Sequence, residues 1–319
     1  MMYMKIAVLD KCTVTNGDVD LSAIESLGEV EYFDLVNECD MENILKDKDA
    51  VILNKAVVSG ELMNKCPNLK YIGLFATGYN NIDIKTAKEK GIVVANVPGY
   101  STDSVAQSAF AMILSFACNT AKYNESVHNG DWVRNKKFTY FCYPISELSG
   151  KTLGIFGFGN IGRAVAKIAL GFNMKVIAHN RSKKEFDGVT FVDFDTLLRQ
   201  SDYLSLHSPL NDETYQKFDM SAFKKMKRSA VLINTSRGAV VNEQDLSDAL
   251  NGDIIAGAGV DALVNEPMTE GHPFLTTKNM IITPHNAWAS IESRTRLINL
   301  VCENLSAFQN GNPINNVAK

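Results

Sequence analysis

Short β-rich runs alternate with amphipathic helical stretches along almost the whole chain, and no other feature limits the possible folds as tightly. Such alternation is the pattern of parallel sheets built from βαβ units. The first strands are KIAVLD (5–10), EVEYFD (29–34), AVILN (50–54), YIGLF (71–75) and IVVAN (92–96). Between them LSAIESLG and NIDIKTAKEKG read as helices, the second stopping at Gly91 as a helix C-terminus should. Pro98-Gly99 breaks the pattern, and STDSVAQSAFAMILSFACNTAKYN then reads as one long connecting helix, N-capped by Ser101 or Thr102. A second set follows in KTLGIFGFG, MKVIAHN, VTFVD, YLSLHSPL, AVLINTSRG, IAGAGVDAL and NMIITPH, and a last helix, IESRTRLINLVCENLSAFQNG, ends at Gly311. The expected fold class is α/β: two doubly wound parallel-sheet domains, one inserted in the other.

At 319 residues the chain exceeds what one hydrophobic core usually supports, which also argues for two domains. Its 32 basic and 36 acidic residues leave a net charge of -4, so nothing electrostatic points to a nucleic acid or a membrane surface as partner. No apolar run spans a bilayer, and the chain enters KIAVLD almost at once, without a secretion signal; a cytoplasmic location is expected. Cys12, Cys39, Cys66, Cys118, Cys142 and Cys302 are scattered, with no C-x-x-C pair and no histidine at zinc-finger spacing. They read as reduced core thiols, and no metal site is expected. Residues 129–150 (NGDWVRNKKFTYFCYPISELSG) are irregular and rich in aromatics. Burial against a partner subunit and packing under the protein's own loops both explain them.

GFGNIG (157–162) matches G-x-G-x-x-G, follows the strand TLGIF and opens the helix NIGRAVAKIALGF. Gly157 permits the tight turn, Gly159 lets the backbone approach a pyrophosphate, and Gly162 lets the helix pack close to the strand. Amides near Asn160 and Ile161 then face the phosphates at the helix N-terminus, where the helix dipole favours an anion. An acid that holds the ribose 2′-hydroxyl is expected at the end of the second strand. Asn180, 18 residues after Gly162, stands there instead. It can bond a hydroxyl and repels no phosphate, while Arg181, Ser182, Lys183 and Lys184 can contact a 2′-phosphate. The cofactor is therefore expected to be NAD or NADP, with NADP favoured.

Three polar stations lie just beyond later strands: Arg237 in LINTSRGAVVNE, Glu266 in GVDALVNEPM and His285 in ITPHNAWAS. In a doubly wound sheet the carboxyl ends of the strands form the ligand crevice, so all three reach one cleft. Hydride transfer to a ketone needs these residue types. A guanidinium stabilises the charge building on oxygen and grips a neighbouring carboxylate, which fits Arg237. A histidine oriented by a carboxylate returns a proton near neutral pH, which fits His285 with Glu266. His207 also ends a strand and either lines the cofactor cleft or packs, whereas His128, His179 and His272 read as surface residues.

Taken together, ATGYNNID, STDSVAQ, GKTLGIFGFGNIG, LHSPLNDET, LINTSRGAVVNE, AGVDALVNEP and PHNAWAS resemble the D-isomer-specific 2-hydroxyacid dehydrogenases over essentially the whole length. The resemblance implies two Rossmann or flavodoxin-like domains: a substrate domain of residues 1–99 plus 289–319, and a dinucleotide-binding domain of residues 100–288, with hinge closure. It implies Arg237 as carboxylate and carbonyl binder, Glu266 as orienter and His285 as proton donor. Asp261 is implied to hold the nicotinamide carboxamide, with Thr235, Ser236, His207, Pro209 and Thr214 as further cofactor contacts. Thr77, Gly78 and Tyr79 would offer amides to the substrate carboxylate, Asn54 and Lys55 would face the same cleft, and Trp288 would wall the pocket. LNKAVV, YSTDSVAQ and PHNAWAS look most like glycerate dehydrogenases, which interconvert hydroxypyruvate and D-glycerate; glyoxylate is the neighbouring candidate. A homodimer is implied, formed through residues 120–148. Other readings on the same fold are phosphoglycerate dehydrogenase, formate dehydrogenase and a dinucleotide-sensing corepressor.

Overall fold

The computed structural model describes residues 4–182 and 184–319, so Lys183, one of the expected phosphate contacts, lies outside the described residues. The chain divides into two compact units, residues 1–101 with 288–319, and residues 102–287.

In the first unit, β1 (Met4–Val8), β2 (Gly28–Tyr32), β3 (Ala50–Leu53), β4 (Tyr71–Leu74) and β5 (Val93–Ala95) form a parallel sheet in the order β2-β1-β3-β4-β5. Strands β3 and β4 are buried along their whole length, as central parallel strands covered on both faces must be. Alternate residues feed two apolar clusters. Ile6, Val8, Ile52 and Tyr71 face Leu297, Ile298, Val301 and Leu305 of the helix Ile291–Gln309. Ala7, Val51, Leu53 and Ile72 face Met41, Leu45 and Met63. That last helix is N-capped by Ser290, whose hydroxyl accepts from the Ser293 amide. Its Arg294 reaches both oxygens of Asp18, at 2.6 Å each.

In the second unit, β6 (Thr152–Phe156), β7 (Lys175–His179), β8 (Val189–Phe191), β9 (Tyr203–Leu206), β10 (Val231–Asn234), β11 (Gly257–Val260) and β12 (Met280–Ile282) form a parallel sheet in the order β12-β11-β10-β9-β6-β7-β8. The strand order reverses between β6 and β9, so the ligand crevice of such a sheet opens at the carboxyl ends of these two strands. One face packs on the helix Thr102–Cys118 and the helix Asn160–Gly171 through Ala109, Phe110, Ile113, Val165 and Ala169. The other packs on Leu197, Phe223, Leu246 and Leu250.

Several expectations need correction. The single long connecting helix is broken at Asn119, whose φ of 48° is left-handed, giving helices Thr102–Cys118 and Thr120–His128. Asparagine tolerates this conformation, and its side chain donates to the Phe116 and Pro144 carbonyls, pinning the return of the following segment. Within residues 129–150 only the short helix Asp131–Asn135 is regular. Tyr123 packs against Tyr140 and Tyr143, but Phe138 and Phe141 are 93% and 81% exposed, so the protein's own loops do not cover them. Cys12, Cys39 and Cys142 are exposed rather than core thiols: Cys39 lies off the face, with Met41 and Leu45, that its helix buries, Cys12 is in a short turn after β1, and Cys142 is in the irregular 129–150 segment. Tyr100, Ser101 and Trp288 group with the first unit, where the Trp288 ring stands edge-on to Tyr100 at 6.1 Å. Among the described residues, no helix is long and apolar enough to cross a membrane.

Candidate active site

The glycine-rich turn bridges β6 and the helix Asn160–Gly171, and each glycine has a separate physical cause. Gly157 has φ of 94°, and a Cβ there would lie 2.6 Å from the Ser208 nitrogen. At Gly162 a Cβ would lie 2.4 Å from the Gly157 oxygen, so helix and turn could not approach. A Cβ on Gly159 would meet nothing within 4 Å: this glycine leaves open space in front of the turn. Among the described residues no side chain caps the helix, and no acid lies in its first turn, so the amides of Asn160 and Ile161 keep their donors available for an anion.

Buried polar atoms with no partner among the described residues collect at the neighbouring strand ends: His207 Nδ1 and Ser208 Oγ after β9, and Thr235 Oγ1 after β10. Orphans of this kind are costly unless a ligand or water satisfies them. The His207 ring nitrogen is sealed from solvent although the residue as a whole is only half-buried, and burial pushes its pKa down to about 3. Its Nε2 lies 2.8 Å from the Ser205 hydroxyl. Thr214 donates to the Pro209 carbonyl at 2.7 Å and so shapes the 209–214 turn, leaving the Pro209 ring exposed. An open glycine cradle, an uncapped helix and a ring of orphaned donors and acceptors fit a dinucleotide.

At the tip of β7 the structure departs from expectation. Asn180 does not hold its amide ready for a ribose: its Oδ1 accepts from the Phe158 amide at 3.0 Å, and its Nδ2 donates to the Ser182 carbonyl and hydroxyl at 2.9 and 3.0 Å. Lys184, expected on a phosphate, donates instead to the Phe158 carbonyl at 2.9 Å. Arg181 and Ser182 are exposed.

Arg237, Glu266 and His285 all belong to the second unit. His285 Nδ1 lies 2.8 and 2.7 Å from the two Glu266 oxygens, with both side chains about a quarter exposed (26% and 27%). Since a carboxylate only accepts, Nδ1 carries the hydrogen, and Nε2 is the ring nitrogen not engaged by Glu266. His285 has φ of 53°, a conformation rare for residues other than glycine and found where a site over-determines the backbone. What determines it here is Asp261, which sequence reasoning placed only against a cofactor. Its buried carboxylate accepts from Thr283 Oγ1 at 2.6 Å, the Asn286 amide at 2.9 Å and the Ala287 amide at 3.0 Å, clamping the turn around His285. One of its roughly four lone-pair positions remains for a carboxamide.

Arg237 stands after β10 with its Nη1 on the Ser236 carbonyl at 2.9 Å, and Asn234 holds the turn by bonding Ser236 and the Arg237 carbonyl. Gly238 follows because a Cβ there would lie 2.0 Å from the Leu263 carbonyl carbon; its absence lets the Arg237 turn touch the segment that leads to Glu266. That segment is held by Glu266, which accepts from the Leu263 amide, and by Glu243, which accepts from the Val264 amide at 2.8 Å. His272 is no surface residue: it is 9% exposed and its Nε2 is 3.3 Å from Glu243. Nor is His179, whose ring stacks on Phe156 and whose Nδ1 lies 3.1 Å from the Val192 carbonyl. His128 is exposed, as expected.

In the first unit Asn54 is buried, bonding Thr13, while Asn81 donates to the Asn54 and Ala56 carbonyls. The Lys55 and Ala56 amides both donate to Asp10, at 2.9 and 2.7 Å. Asp10 went unremarked in the sequence although it ends the first strand pattern, the signal that singled out the other stations. Thr77 is fixed by its hydroxyl on the Val97 carbonyl and by Asn96 on its own carbonyl. Among the described residues, no backbone carbonyl takes the amides of Thr77, Gly78 or Tyr79.

A dinucleotide cradle and a histidine–carboxylate pair on the same doubly wound sheet are the equipment of a nicotinamide-dependent oxidoreductase. Comparison with known proteins narrows the class. Residues 110–287 match the NAD binding domain of the D-isomer specific 2-hydroxyacid dehydrogenases. The chain is 43% identical to the hydroxypyruvate reductase of Blautia hydrogenotrophica, over 99% of this chain and 100% of that protein. It is 43% identical to the glyoxylate reductase of Thermococcus litoralis, over 84% of this chain and 82% of that one. The solved structure of an acyclic imino acid reductase in complex with NADPH and D-Arg is similar with a TM-score of 0.87 and 33% identity, covering 98% of this chain and 100% of that one. The chain belongs to the D-isomer specific 2-hydroxyacid dehydrogenase family, and it is an oxidoreductase.

Proposed function

We propose that this enzyme reversibly reduces a short 2-oxo acid, hydroxypyruvate to D-glycerate or glyoxylate to glycolate, with NADH or NADPH. The observation that carries the chemistry is the His285–Glu266 pair, with Nδ1 on the carboxylate at 2.7 Å. The substrate choice rests on the hydroxypyruvate and glyoxylate reductases to which the chain is similar.

When bound at the Gly157–Gly162 cradle, with Thr235, Ser236, His207, Pro209, Thr214 and Asp261 around it, the reduced nicotinamide supplies a hydride. Everything else falls to side chains. Arg237 binds the 2-oxo acid through its carboxylate and stabilises the charge that builds on the carbonyl oxygen. His285 delivers a proton to that oxygen from Nε2, and Glu266 holds Nδ1 and stabilises the imidazolium until the proton leaves. In the oxidative direction His285 takes the proton back. Asn54, Lys55 and the amides of Thr77, Gly78 and Tyr79 are the first unit's candidates for the substrate carboxylate, and Trp288 is its candidate pocket wall.

The absence of an acid at position 180 and the exposed Arg181 and Ser182 favour acceptance of NADPH. A homodimer is supported by the uncovered Phe138 and Phe141 and by a groove of about 930 Å³ in the same unit, lined by Phe110, Leu114, Ile168 and Phe172. A cytoplasmic setting goes with six unpaired cysteines.

Purified protein assayed with hydroxypyruvate, glyoxylate and pyruvate against NADH and NADPH, and with formate against NAD and NADP, tests this. The highest kcat/KM is expected for hydroxypyruvate or glyoxylate. Turnover of formate alone would move the protein to formate oxidation, and no turnover with any pair would defeat the proposal.

A further inference from the structure

Phe158, the second residue of the glycine-rich turn, is held by the segment that follows β7 and by the end of β8. Its amide donates to Asn180 Oδ1 at 3.0 Å and its carbonyl accepts from Lys184 Nζ at 2.9 Å. Its ring, 1% exposed, meets Phe186 edge-on at 5.4 Å and Phe191 at 5.1 Å. An ordinary loop peptide of this kind is left to water. Here both backbone polar groups of one residue are bound by side chains 22 and 26 residues further on, and these bonds fix the two successive peptide planes of the turn whose next amides face the phosphates.

We propose that Asn180 and Lys184 are positioning residues of the phosphate cradle, acting through Phe158, and that neither reads the ribose. Discrimination between the two dinucleotides then falls to Arg181 and Ser182, the exposed residues of the described part of that tip. This inference rests on the dinucleotide-binding role of the glycine-rich turn. It separates two jobs that a run of bases in a sequence merges: Lys184 supports a backbone common to both cofactors, whereas Arg181 is placed to meet a 2′-phosphate that only one of them carries.

The test is direct binding of NADH and NADPH to the intact protein by calorimetry. Lys184→Met is expected to raise Kd for both dinucleotides by the same factor, about tenfold, which corresponds to ~1.4 kcal/mol; Asn180→Ala, which also releases Ser182, should weaken both, NADPH at least as much as NADH. Because both act through the backbone of one residue, Phe158, the double variant should lose less than the product of the two single losses. Lys184→Arg, which keeps a donor, should restore most of the affinity, and Asn180→Asp, which keeps the acceptor for the Phe158 amide, should retain NADH binding. Arg181→Ala should weaken NADPH alone. A Lys184→Met variant that loses NADPH selectively, or that binds both as the wild type does, overturns the assignment; so does full additivity of the double variant. Wild-type protein that binds neither dinucleotide brings down the cofactor role itself, a failure visible before any variant is made.

Discussion

The chemistry proposed for His285 belongs to the transition state, so its removal should cost rate more than affinity. Glu266→Gln keeps an acceptor for Nδ1 and removes the charge; kcat is expected to fall by roughly 10²–10⁴-fold, with calorimetric cofactor affinity within about twofold of wild type. Equal losses in kcat and cofactor affinity would make the pair structural. The left-handed backbone at His285 decides which replacements are informative there. Asparagine and glycine accept φ near 53°, while a β-branched residue adds strain to the lost proton donor. His207 offers a different test. Burial holds its ring neutral down to about pH 3, whereas the unfolded chain takes up a proton below about 6.5. Unfolding therefore binds a proton in that window, and stability falls as pH drops from about 6.5 toward 3, by about 1.4 kcal/mol per pH unit. Denaturant titrations of His207→Asn should lack that one-proton slope.

At the scale of elements, the strands and the glycine-rich turn were legible because each has a local signature: period, flanking glycine and position after an apolar run. The break at Asn119 was not, because its cause, the Asn119 side chain on the Pro144 carbonyl, is a contact across a loop. The same limit hid the true work of Asp261, Asp10, Glu243 and Lys184. An acid or a base at a strand end announces a station, but only the fold shows which protein groups it holds as well: Asp261 clamps the 283–287 turn, and Asp10 takes the Lys55 and Ala56 amides. The segment after Asn119 also gives the element-scale test. If Phe138 and Phe141 cover a second copy, Phe138→Ser with Phe141→Ser should halve the mass seen by light scattering while leaving the circular dichroism unchanged. A mass unaltered from wild type would remove those rings from any subunit contact.

For the molecule as a whole, the apolar clusters sort by unit, two to each sheet. Leu297, fully buried in the helix Ile291–Gln309, serves the first unit only. Leu297→Ala is expected to cost about 2–5 kcal/mol, lowering the first unit's melting transition while calorimetric dinucleotide affinity, a property of the second, holds. Acid should probe the same helix: Arg294 holds the Asp18 carboxyl well below the usual carboxylate range. That contribution is present above the ordinary aspartate range and is lost as the pH falls through the depressed value. The helix also has a history within each molecule made. The 186 residues of the second unit (102–287) are made between Ser101 and the segment that carries this helix, and at about 5–20 residues per second the ribosome takes roughly 10–40 s to add them. For that interval the β1–β5 sheet has emerged with Ile6, Val8, Ile52 and Tyr71 uncovered, while the second unit can complete its own sheet. A nascent chain with an open apolar face of this kind is a natural client for a chaperone that binds co-translationally.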